Sequence, residues 1–123
     1  MTEKTNVKVE MVELTNGQLR ILGLPEVQSI ILKLNLSVPQ KMFIYKAVKG
    51  TESLALTAAM QQVVEDEGID SPQGKTIGFD NIKVQEILSE PSGLSLEKMT
   101  FVVPKDVSIT EMFLIDFMVN WKD

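Results

Sequence analysis

A chain of 123 residues that is 44% hydrophobic and 24% charged, with a net charge of −5, has the make-up of a single globular domain over 1–123, not of a collagen, coiled coil or disordered chain. It contains no cysteine and no histidine, which removes disulfides, thiolate chemistry, Cys- or His-ligated metals and the commonest general base. Arg20 is the only arginine among twelve basic residues, which equips the chain poorly for reading duplex base edges. The N-terminal stretch 1–6 is polar with no apolar signal core behind it, and the apolar runs 29–36 and 112–119 fall well short of the ~20 residues of a membrane span. The expectation is a cytoplasmic protein with no membrane partner.

Along the chain, Asn16-Gly17 lies between the apolar-rich runs 7–14 and 19–24. Asn-Gly accommodates the two positive φ values of a type I′ turn, so the spacing predicts a β-hairpin in which Glu13 faces Arg20 and Val12 faces Ile21. Both faces of that hairpin carry apolar residues, Val12, Leu14, Leu19 and Ile21 on one and Val9, Met11, Leu22 and Leu24 on the other. Such a hairpin is packed on two sides or lies in an interface. Pro25 ends its second strand. Ile30, Leu32, Leu34, Leu36 and Val38 then alternate with Ile31, Lys33, Asn35 and Ser37, the period of a half-buried strand with one wet face. The aromatic and β-branched residues of 41–48 lean towards another strand, although Pro39 could also open a short helix.

Residues 51–67 carry the clear helical pattern. Thr51 can cap the helix, Glu52 suits its positive first turn, and Leu56, Ala59, Met60 and Val63 form its apolar stripe. Gly68 is expected to end it in the left-handed conformation. An exposed loop, 69–74, follows. The short runs 76–79 and 82–88, split by Asp80-Asn81, read as strands, as does 96–103 after a turn over 89–93. Met99, Phe101 and Val103 share one face of that last run, and Pro104 stops it. At the C-terminus two patterns compete. Ser108-Ile109-Thr110-Glu111 matches a helix capping box, whereas Phe113, Ile115, Phe117, Val119 and Trp121 alternate as in a strand with Phe113, Phe117 and Trp121 buried. The strand is the favoured reading, because it accounts for more of the aromatic and β-branched residues. The sum is an α+β domain with a curved, mainly antiparallel sheet of seven or eight short strands and one central helix over 51–67. That order is compatible with an OB-like Greek-key barrel.

No catalytic constellation emerges. Without histidine, a Ser or Thr nucleophile would need a lysine or a terminal amine as its base, and no Ser-x-x-Lys occurs. Gly74-Lys75-Thr76 lacks the upstream glycine of a phosphate loop, with Ile69 standing in its place. Glu86, Glu90 and Asp116 show no spacing that would pair them. The expectation is no enzyme, no cofactor and no metal site.

Two charge clusters stand out instead. Residues 27–51 contain no acid and four lysines, Lys33, Lys41, Lys46 and Lys49, and that +4 leaves −9 on the rest of the chain. With Asn35, Phe43 and Tyr45 these lysines make a candidate basic binding face. Lysines interleaved with aromatics would also suit single-stranded nucleic acid. Glu65, Asp66, Glu67 and Asp70 form an acidic rim at the helix end where the macrodipole disfavours negative charge. An unfavourable placement with no local compensation marks a candidate partner-docking surface. Neighbouring helical residues point about 100° apart, so these acids do not converge on a cation. The functional expectation is a non-catalytic interaction or assembly module that forms a homo-oligomer or docks a protein partner. The alternative is a single-stranded nucleic-acid-binding OB-like module.

Overall fold

Thr15, and not the Asn-Gly pair after it, decides the first corner of the chain. In the computed structural model, which describes residues 10–122, the Thr15 hydroxyl accepts from the Gln18 N–H at 3.1 Å and the Gln18 side chain accepts from the Thr15 N–H at 3.0 Å. This capping box opens helix α1 (Asn16–Leu22) at the end of strand β1 (Met11–Thr15). The expected hairpin therefore does not form. Asn16 Nδ2 donates to the Ile87 carbonyl at 2.9 Å, and β1 pairs antiparallel with β4 (Pro91–Glu97), Val12 opposite Leu96. Arg20 lies 4.6 Å above the Phe79 ring rather than opposite Glu13. Val7 and Val9 of the first apolar run lie outside the described residues.

The expected third strand over 30–38 does not form either: residues 30–32 end one helix, 33–37 connect it to the next, and Val38 opens that next helix. Pro25 takes the first turn of α2 (Pro25–Leu32), where its missing N–H costs nothing. Ser37 and Gln40 then form a second capping box that opens α3 (Val38–Lys49), with Pro39 in its first turn. Burial follows Val27, Ile30 and Leu34, spaced as on one side of a helix and its continuation, while Leu32 stays 87% exposed. Residues 41–48, which lean towards a strand in sequence, lie inside α3.

Helix α4 (Thr51–Glu67) has the expected bounds but different caps. Gly50 is its N-cap, where a Cβ would run into the Lys46 carbonyl oxygen, and Gly68 is extended rather than left-handed. Residues 69–76 form a hairpin of β2 (Ile69–Ser71) and β3 (Gly74–Thr76) in place of a plain loop, with Gly74 at φ +105°. Gly74-Lys75-Thr76 is thus a strand. Asn81 accepts from the N–H groups of Lys83 and Val84 and opens α5 (Ile82–Ser89), where the pattern suggests a strand. Lys98 divides the last alternating run into β4 and β5 (Met99–Val102). At the C-terminus both competing patterns are used in turn: Ser108 and Glu111 cap α6 (Ile109–Leu114), and β6 (Val119–Lys122) pairs in parallel with β5.

The described residues form an α+β fold with six helices and six short strands, the strands in three separate two-stranded sheets. Two of these sheets are antiparallel and one is parallel, so there is neither a curved sheet of seven or eight strands nor a closed barrel among them. The short α1 is the hub: it packs against α2, α3, α4, α5 and the β1–β4 pair. Its Leu19 and Leu22 enter one core with Leu14, Val27, Ile30, Ile115, Met118 and Val119. Full burial of each such side chain contributes about 2 kcal/mol.

Candidate functional site

The helical period sorts α3 into two faces. Ile44 and Ala47 are buried, and Phe43 packs against the core. Val38, Lys41, Met42, Tyr45, Lys46 and Lys49 fall at i, i+3, i+4, i+7 spacings on the opposite side and are all exposed. Tyr45, 63% exposed, has a lysine one turn away in each direction, Lys41 and Lys49. Beside this face a groove of about 340 Å³ runs between α2 and α3. Ile31, Leu36, Ile44 and Val48 give it an apolar floor, and Lys41 and Lys49 stand along its rim. Lys46 and Lys49 occupy the last turn of α3, where the helix dipole favours positive charge, so the cluster is tolerated by the fold. Among the described residues Lys41, Lys46 and Lys49 have no ion-pair partner.

The basic face expected from the sequence is brought together only in part. Lys41, Tyr45, Lys46 and Lys49 share a surface, whereas Phe43 turns to the core. Lys33 is occupied elsewhere: its Nζ donates to the Asp106 carbonyl at 2.8 Å and pairs with the Glu111 carboxylate at 3.3 Å, tying α2 to α6. Asn35 is exposed in the connection between α2 and α3. Val38, Met42 and the apolar floor of the groove are missed by a period-two reading. A period of 3.6 started at the Ser37–Gln40 capping box places Val38 and Met42 on the exposed face and Ile44 and Val48 towards the core, whereas Ile31 and Leu36 join these two only through the placement of α2 beside α3.

The acidic rim lies at the far end of α4, and the fold does compensate it locally. Lys83 Nζ sits 2.6 Å from Glu67 Oε2, and Asn81 Nδ2 donates to Glu67 Oε1 at 3.1 Å. The Lys83 hydrogen bond, aided by Asn81, holds the Glu67 carboxyl below its ordinary range, and the same bond raises Lys83. Lys75 Nζ donates to the Glu65 carbonyl at 3.0 Å, and Lys75 is the register partner of Asp70 in the hairpin. Gln62 Nε2 donates to Asp66 Oδ1 at 3.0 Å. Ile69 stands 75% exposed at this end and lines a depression of about 310 Å³ with Glu67 and Asp80. Among the described residues no three carboxylates gather as a cation site requires.

Comparison of the chain with protein-family models, with curated proteins and with solved structures gives no match. Among the described residues no helix is long and apolar enough to cross a membrane.

Proposed function

We propose that this protein is a non-catalytic interaction module that docks a protein partner on the exposed face of α3 and in the groove beside it. The observation that carries this reading is the meeting of three lysines that have no ion-pair partner among the described residues and an adjoining apolar groove. Lysines alone solubilise a surface. Joined to an apolar floor, they suit an apolar side chain set among carboxylates, with burial supplying affinity and charge supplying steering and register.

One observation favours the alternative of a single-stranded nucleic acid: the exposed Tyr45 ring has a lysine one turn away on either side. Against it stand the net charge of −5, which repels a polyanion, and the inward-facing Phe43, which is not free to stack on a base.

The backbone amide resonances of residues 38–49 read out both. An acidic peptide bearing leucines and an oligothymidylate are titrated separately into isotopically labelled protein at low salt. The peptide is expected to shift these amides, and Lys41→Glu with Lys49→Glu to abolish the shifts. Shifts with the oligothymidylate alone would favour nucleic acid, and no shift with either probe would reject this face as a site.

A further inference from the structure

Resting on the reading of α3 as a docking face, we infer that its occupant is a second copy of this chain, which inserts the end of α4 with Ile69 as the apolar anchor. The two surfaces are complementary in both respects that matter. The groove presents an apolar floor with Lys41 and Lys49 at its rim. The far end of α4 presents an isoleucine that is 75% exposed, with Asp70 next to it and Asp80 lining the same depression. Glu67 is committed to Lys83, but Glu65, Asp66 and Asp70 have no ion-pair partner among the described residues. A fold that leaves an isoleucine in water at an end where Glu65, Asp66, Glu67, Asp70 and Asp80 outnumber Lys75 and Lys83, and an apolar groove edged by lysines elsewhere, carries both halves of one contact.

The halves cannot meet within one chain. Lys49 lies just before the start of α4 and Ile69 just past its end, and its 17 residues span about 25 Å. That distance is about three Debye lengths at physiological salt, and a straight helix holds the two ends apart. Between copies the contact joins unlike surfaces, groove to tip, so two copies either close by making it twice about a two-fold axis or leave a free groove at one end and a free tip at the other. The open arrangement continues into a larger ring or a filament.

Solution mass tests this with the full chain. At low salt and millimolar concentration the wild type is expected to form a dimer or larger species that dissociate as salt is raised. Lys41→Glu with Lys49→Glu blocks the groove, and Ile69→Asp, a change at an exposed position, blocks the tip. Each variant alone is expected to be monomeric, with association weakened about tenfold or more. Mixed, they are expected to form a 1:1 dimer and nothing larger, because one intact groove meets one intact tip. The mixture also shows that neither variant lost association by unfolding. A wild type that stays monomeric, or a mixture that does not dimerise, overturns the second copy as occupant. The reading of α3 as a docking face is tested apart from it, by the shifts at residues 38–49 with the acidic peptide.

Discussion

Gly17 lies in the first turn of α1, where an added Cβ would come 3.1 Å from the Leu88 carbonyl oxygen. That close approach lets α1 cross α5, and the Asn16 side chain secures the same crossing through the Ile87 carbonyl. The demand on Gly17 is therefore steric. The positive φ of a hairpin turn plays no part, since the positive-φ glycines among the described residues are Gly74 and Gly93. Gly17→Val pushes a branched side chain against backbone that cannot swing aside. It is expected to destabilise the fold by about 1–3 kcal/mol, read from urea unfolding. A variant as stable as the wild type would mean that α1 and α5 do not pack as described. At the same scale, Arg20 over the Phe79 ring links α1 to the segment before α5, a contact worth about 0.5–1 kcal/mol at an exposed site.

α6 has six residues, none of them buried, and its Phe113 is 70% exposed. Met112 and Leu114 of this helix pack against the core, and a polar knot fixes its start: Ser108 N–H donates to Glu111 Oε1 at 2.8 Å, Glu111 N–H donates back to the Ser108 hydroxyl, and Lys33 pairs with the other carboxylate oxygen. The Ser108 N–H chiefly, and then Lys33, hold the Glu111 carboxyl below its ordinary value of 4.5. A carboxyl whose folded pKa is depressed contributes its stability above the unfolded pKa and loses it as pH falls through the folded one. Melting temperature is therefore expected to fall more steeply below about pH 4.5 in the wild type than in Glu111→Gln, which keeps the cap and drops the charge. Parallel curves would show that the charge on Glu111 contributes nothing to folding. The same scale explains what the sequence reveals. In α4 seventeen residues repeat one stripe with no rival pattern, so its bounds are legible. α1 and α2 span seven and eight residues, two helical turns, and an apolar run such as 30–38 satisfies a period of two as well as 3.6. Thr15–Gln18 and Ser37–Gln40 match the capping-box pattern, but the turn chemistry of Asn16-Gly17 and the alternation of 30–38 mask them. The charge asymmetry of the site is legible whatever the secondary structure, but which residues share its surface depends on the period: at 3.6, Tyr45 joins Lys41 and Lys49, and Phe43 leaves them.

Across the described residues, β1 and the segment 115–119 join segments far away in sequence in one core. β1 finds its partner in β4, far along the sequence, and β5 takes β6 as its partner among the described residues. Such pairings are beyond local pattern, because nothing near residues 11–15 encodes what lies at 91–97. Ile115, Met118 and Val119 are at most 1% exposed and share one core with Leu14, Leu22, Val27 and Ile30. The C-terminal segment is thus a wall of the core, and the chain is expected to fail without it. Removing a single buried side chain of this kind costs about 2–5 kcal/mol, and a domain holds only about 5–15 kcal/mol in reserve. Truncation before Glu111 deletes three such side chains together with β6 and the carboxylate that anchors Lys33. The truncated protein is expected to be insoluble, or to lack the cooperative unfolding transition of the full chain. Met118→Ala separates packing from mere chain length: it should stay folded and unfold at lower urea, with about 2–5 kcal/mol less stability. A truncated chain that remains soluble and unfolds cooperatively, beside a Met118→Ala variant as stable as the wild type, would show that the last thirteen residues lie against the core without closing it.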